Sequence, residues 1–215
     1  MKNIFNIENG FKALVILLLA TIAFGTKAAD FSGSVSVSSD YVWRGVTQTD
    51  NGSHANLNLE LSQSGFTVGA WAGTVDFGDD NDVETDWYIE YSKELLGADV
   101  TVGYNSYVYS SFKDIVAFSN GSLDFEEIYV VAEFDKFFVA YAIGQDEAPD
   151  YMSLGTSLLK VADVSYGDYD GIGSNITVSR SLGKGFKADY IRFSADEASG
   201  LVDDNNFVLS YSYNF

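Results

Sequence analysis

With 215 residues, a formal net charge of −19, one histidine and no cysteine, the chain has the size of one domain and no means of building a disulfide scaffold or a thiol site. Its acidity is the reverse of the basic footprint that nucleic acid demands, which excludes that class of partner. Past residue 24 no apolar run of helical length recurs, so the helical membrane proteins are excluded too.

At the start of the chain, Lys2 and Lys12 precede an apolar run from Ala13 to Phe24, followed by the small residues Gly25, Thr26, Ala28 and Ala29. A basic segment, a short apolar core and a small-x-small site together predict a cleaved signal peptide over 1–28, cut after Ala28 or Ala29. The run is shorter than the ~20 apolar residues a helical span needs. Residues 29–215 are then exported by the general secretory route as one domain. Fourteen Tyr, sixteen Phe and three Trp against a single Pro suit strands and the aromatic girdles of a membrane interface.

From residue 31 onward apolar and polar residues alternate with the period of two that strands impose. Phe31, Gly33, Val35, Val37, Tyr41 and Trp43 oppose Ser32, Ser34, Ser36, Ser38, Asp40 and Arg44. Ala55, Leu57, Leu59 and Leu61 oppose His54, Asn56, Asn58 and Glu60. Trp87, Ile89 and Tyr91 oppose Asp86, Tyr88 and Glu90; Val100, Val102, Tyr104 and Val108 oppose Thr101, Gly103, Asn105 and Tyr107. Ile128, Val130, Ala132 and Phe134 oppose Glu127, Tyr129 and Glu133, and Phe137, Val139, Tyr141 and Ile143 oppose Ala140, Ala142 and Gly144. Two segments leave their phase open. Trp71 or its neighbours Ala70 and Ala72 could point outward in 66–77, and 186–194 must expose either Asp189 or Arg192.

Short turns near Ser64-Gly65, Leu96-Gly97, Asp135-Lys136, Leu159-Lys160 and Gly183-Lys184-Gly185 alternate with longer polar loops over 47–53, 78–82, 110–122, 145–150, 170–174 and 195–205. That asymmetry, with segments of about ten residues, is the signature of an antiparallel transmembrane β-barrel. The count predicts twelve strands with both ends on the short-turn, periplasmic side. Ten is the fallback, because 151–158 and 161–166 alternate weakly. The last segment, 207–215, puts Phe207, Leu209, Tyr211, Tyr213 and Phe215 on one face. An edge of that kind invites aggregation in water, and it seals and greases a barrel in lipid.

The stretch Ser39-Asp40-Tyr41-Val42-Trp43-Arg44-Gly45-Val46-Thr47-Gln48-Thr49-Asp50 resembles the opening signature of the TorF-type porins, short outer-membrane barrels of Gram-negative bacteria. Asp40, Tyr41, Arg44, Gly45 and Gln48 carry the resemblance there. Gly65-Phe66, Gly69-Ala70-Trp71, Val75-Asp76-Phe77 and Tyr166-Gly167-Asp168-Tyr169-Asp170-Gly171 extend it, with Asp76 among the matching positions. The similarity runs in order through 30–215 and is least over 110–159. It implies an outer-membrane location among lipid and lipopolysaccharide, and a passive channel for ions or small solutes. The position of Tyr211, Tyr213 and Phe215 suggests the signal read by the outer-membrane assembly machinery.

A barrel of this strand number lies between those filled by side chains and those with open aqueous pores, so a narrow, partly obstructed lumen is expected. Asp40, Arg44, Glu60, Asp86, Glu90, Glu127 and Glu133 are the lumen-facing charges on this phasing. Six acids against one Arg predict a preference for cations. For Arg44 two readings stand together: a constriction or carboxylate contact made by its planar fork, or a buried pair with Asp40 or Asp76 that locks strand register. A barrel with a structural, adhesin or receptor role and no conductance is the alternative function. A lesser one is a hydrolase built on His54 with Ser53, Asp50 and Asp76 nearby. The acidic loops around Asp79, Asp80, Asp82 and Glu84 and around Asp146, Glu147 and Asp150 read as solvated surface, and no cofactor or Cys/His metal cluster is expected.

Overall fold

Among the described residues the chain forms strands wherever the alternation is sustained, and little other regular structure. The computed structural model describes residues 28–111, 123–145, 147–158 and 161–215. The expected signal segment up to residue 27, the Leu159-Lys160 turn and most of the 110–122 loop lie outside those residues.

In chain order the strands are β1 (Asp30–Ser38), β2 (Val42–Trp43), β3 (Val46–Thr47), β4 (His54–Gln63), β5 (Phe66–Thr74), β6 (Val83–Leu95), β7 (Ala98–Ser110), β8 (Phe125–Glu133), β9 (Phe137–Gly144), β10 (Tyr151–Leu158), β11 (Ala162–Tyr169), β12 (Gly173–Gly183), β13 (Phe186–Ala195) and β14 (Asp204–Asn214). Twelve of them close into one antiparallel barrel in the order β1-β14-β13-β12-β11-β10-β9-β8-β7-β6-β5-β4, and β2 and β3 form a separate two-stranded hairpin. The twelve-strand expectation holds. The two weakly alternating segments are β10 and β11, paired from Tyr151↔Tyr169 to Leu158↔Ala162.

Closure lies between β1 and β14, from Ser34↔Asn214 to Ser38↔Ser210. It is extended by two backbone hydrogen bonds between Gly33 and Phe215, each 2.9 Å. The Phe215 ring lies against Gly33, where a Cβ would meet it at 2.8 Å; a large aromatic covering a strand glycine restores the packing the glycine lacks. With each of the twelve barrel strands paired on both sides, the described barrel leaves no backbone edge to lipid.

The two ends of the barrel differ. Ser64-Gly65 (φ 54° and 88°) and Leu96-Gly97 (φ 55° and 81°) are two-residue turns with both central residues left-handed, the geometry that matches strand twist in tight hairpins. Asp30 and Phe215 lie at this end, and the longer loops lie at the other.

The exterior is apolar, as with Val35, Val37, Leu57, Val102, Ile128, Val139, Leu154 and Leu209, all exposed. Near the short turns outward rings pair across strands: Phe66 with Tyr91, Phe134 with Phe137 and Phe186 with Tyr211, at centroid distances of 4.7, 4.3 and 4.9 Å. This is the girdled, greasy wall of a membrane-spanning barrel.

The structure settles both open phases. In β5, Trp71 points inward and Phe66 outward. Gly69 and Gly73 clear the inner wall, since a Cβ on Gly69 would sit 2.0 Å from the Tyr88 ring. In β13, Asp189, Ile191 and Phe193 are buried inward and Arg192 is exposed, as a long side chain that carries its charge toward a membrane interface can be. One phase is corrected. Tyr41 and Trp43 do not continue the outer face of Val35 and Val37, because β1 ends at Ser38 and the chain then turns inward, so that Asp40 to Arg44 line the internal cavity.

Candidate functional site

The inward excursion builds the site. Asp40, 6% exposed, accepts hydrogen bonds from the hydroxyls of Thr47 (2.7 Å) and Thr49 (2.9 Å), which ties the two arms of the hairpin at their base. The Gln48 amide donates to the Tyr41 carbonyl at 2.6 Å. Val42↔Thr47 and Trp43↔Val46 then pair, leaving Arg44 (φ 50°) and Gly45 (φ 93°) as a two-residue turn at the tip. Gly45 is required twice over: its φ is left-handed, and a Cβ would meet the Phe193 ring at 2.7 Å. The returning arm is fixed to the wall, because the Gln48 carbonyl accepts from the Asp76 amide at 2.8 Å.

The tip crosses the lumen. Nη1 and Nη2 of Arg44 donate to the two carboxylate oxygens of Glu127 on β8 at 2.6 and 2.7 Å, and the two side chains are only 9% and 1% exposed. The guanidinium also lies 4.1 Å from the ring centroid of Trp43, 4.2 Å from that of Tyr151 and 5.0 Å from that of Tyr169. Tyr107 donates its hydroxyl to Glu127 Oε2 at 3.0 Å. Partners on β7, β8, β10 and β11 stand across the barrel from β1 and β4, which carry the base of the hairpin. The expected pairing of Arg44 with Asp40 or Asp76 is therefore corrected: Asp40 serves Thr47 and Thr49, and Asp76 accepts from the Gly78 amide at 3.0 Å.

A cavity of about 800 Å³ adjoins the hairpin inside the barrel and brings together Asp40, Arg44, Glu60, Asp86, Glu90 and Glu127. Glu133 does not join them. It lines a separate space of about 370 Å³ at the short-turn end, with Lys136, Asp163 and Lys187. Within the main cavity the acids are dressed by phenols: the Tyr88 hydroxyl lies 2.7 Å from Glu60 Oε1, and the Tyr129 hydroxyl donates to Glu90 at 2.5 Å. Asp189 also lines it, paired with Lys187 at 2.9 Å.

Sequence reasoning missed Glu84, which it placed in an acidic loop. Glu84 belongs to β6, is 1% exposed and accepts from the Tyr109 hydroxyl at 2.8 Å. Its spacing from Asp86 and Glu90 on one strand face was the available signal.

His54 is 4% exposed. Its Nδ1 donates to the Thr74 carbonyl at 2.8 Å, and its Nε2 lies 2.9 Å from the Asn56 amide nitrogen. Its ring packs against those of Tyr41 (4.6 Å) and Trp71 (5.7 Å), which themselves lie 5.5 Å apart. Both nitrogens are engaged with these groups rather than with Ser53, Asp50 or Asp76, and the stack anchors the hairpin base to the wall.

Fold and site together define a class: a small antiparallel barrel with an apolar exterior, whose polar, acid-lined lumen is crossed by an inward-folded hairpin. The chain belongs to the Gcw_chp family, described as bacterial protein of unknown function, whose family model matches residues 23–196. No curated protein matches the sequence. Among solved structures, a mutant porin of Rh. blastica is 14% identical with a TM-score of 0.42 over 75% of this chain; the match spans only 55% of that porin's length. Outer membrane phospholipase A from Escherichia coli is 11% identical with a TM-score of 0.47, covering 90% of this chain and 95% of that one. An outer membrane channel from Pseudomonas putida F1 is 12% identical with a TM-score of 0.27, covering 88% and 96%.

Proposed function

We propose that the protein is a narrow porin-like channel of the bacterial outer membrane that passes small solutes by diffusion and prefers cations. The observation that carries this reading is the charge of the cavity wall. Among the described residues Asp40, Glu60, Asp86, Glu90, Glu127 and Asp189 line it, and the one Lys or Arg that does so, Arg44, is paired with Glu127. In a passage with low-dielectric walls, uncompensated acids draw cations in and hold anions out. The TorF-type resemblance favours the same activity. Export by the predicted signal peptide, insertion among lipid and lipopolysaccharide, and recognition of Tyr211, Tyr213 and Phe215 by the assembly machinery complete the reading.

Recording from the refolded protein in a planar bilayer under a salt gradient tests it. Steady current steps with a reversal potential on the cation side are expected, and a chloride-favouring potential overturns the selectivity. Absence of current overturns the channel and leaves a structural, adhesin or receptor barrel, the reading that the hairpin across the lumen favours. Catalysis is not part of the proposal: the stacked, doubly engaged His54 suits anchoring better than general-base work.

A further inference from the structure

We propose that the lumen cavity binds a linear aliphatic polyamine, with its ammonium groups at Asp86 and Glu90 and its methylenes along the aromatic wall between them. Asp86 is 8% exposed and lines the cavity, yet its Oδ1 has no hydrogen-bond partner, and neither has Oδ1 of neighbouring Asn105. A buried acceptor left without a donor costs free energy, and a protonated amine supplies both the donor and the opposite charge. Among the described residues, the two inward cations near it are already engaged: Arg44 is held by Glu127 and Lys187 by Asp189.

The shape of the wall selects the class of cation. Asp86, Tyr88 and Glu90 follow one another on the inner face of β6 (Val83–Leu95), so the two carboxylates stand about 13 Å apart along the strand. Trp71, Tyr88, Tyr107 and Tyr129 lie along the same cavity, and such rings attract ammonium groups and cover methylenes. A bare metal ion needs several oxygens converging within a few ångströms, and among the described residues no group of three or more His, Cys, Asp or Glu could hold one. Charges spaced along an apolar chain fit; a point charge does not. The inference names the solute of the proposed cation channel and rests on that reading for access to the lumen.

Titration of the full-length refolded barrel in detergent with spermidine, followed by calorimetry and by the fluorescence of Trp43 and Trp71, is the test. Butylamine serves as the single-charge comparison, and heat-shifted gel migration confirms that each variant is folded. Saturable spermidine binding is expected, weakened about tenfold or more by Asp86→Asn and by Glu90→Gln, with butylamine far weaker. Should Asp86→Asn fail to fold, Glu90→Gln carries the test alone. Equal affinity for butylamine overturns the two-point site, unchanged affinity in the folded variants overturns its location, and no saturable binding overturns it altogether. Conductance is measured separately, so a conducting barrel that ignores spermidine refutes this inference and leaves the channel standing, whereas binding without current does the reverse.

Discussion

Arg44 and Glu127 form the contact on which the interior organisation depends. Two charges with side chains 9% and 1% exposed have surrendered most of their hydration, and a bidentate geometry with aromatic faces around the guanidinium is what offsets that cost. Removing one partner is then worse than removing both. Arg44→Ala strands the Glu127 carboxylate and should lower stability by about 3–5 kcal/mol, read as an earlier urea midpoint for loss of the folded, heat-shiftable species. Arg44→Ala combined with Glu127→Leu should regain most of that loss, because no unpaired charge is left inside. A single variant as stable as the parent sinks the idea that the pair docks the hairpin. The inward side of Glu127 was legible from the alternation around Ile128 and Val130. Its partnership with Arg44 was not, because alternation assigns a residue to a face and says nothing of what reaches it from across a lumen.

At the scale of elements, what the sequence disclosed follows from length. Ten- and thirteen-residue strands such as β4 and β7 repeat the period often enough to announce both strand and facing. The two-residue strands β2 and β3 cannot, and Tyr41 and Trp43 happened to continue the count of Val35 and Val37, so an internal hairpin read as more wall. The ambiguity of β5 had another source: Gly69, Ala70 and Ala72 flank Trp71, and small residues suit either face.

The barrel ladder runs through β1, β4 and β14 without using β2 or β3, so the hairpin is held to the wall by single contacts, such as Asp76 to Gln48 and Arg44 to Glu127, rather than by strand pairing. Replacing residues 41–48 by a flexible Gly/Ser linker should leave a folded barrel while raising single-channel conductance several-fold. Unchanged conductance with a folded wall shows that the hairpin does not constrict the path. The closing strand behaves oppositely. Removing Phe215 deletes two seam hydrogen bonds and the ring over Gly33, and should reduce the fraction inserted in the outer membrane of cells while leaving the conductance of the inserted fraction unaltered.

Over the whole molecule the net charge of −19 is divided between two environments, and only one of them should govern permeation. The loop acids Asp79, Asp80 and Asp82 are exposed to solvent, where a Debye length of about 8 Å at physiological salt screens them. The cavity acids Glu60 and Glu90 face a confined volume walled by protein and lipid, where a charge acts over a longer range. The double change Glu60→Gln and Glu90→Gln should therefore cut the cation-to-anion permeability ratio several-fold at physiological salt. The triple change Asp79→Asn, Asp80→Asn and Asp82→Asn, which removes more charge, should barely move it. Lowering the salt extends the reach of the loops, so the effect of the triple variant should grow on dilution. Reversal potentials at two ionic strengths decide between the environments: selectivity that follows the number of charges removed, whatever their place, means that bulk acidity sets permeation and the cavity does not.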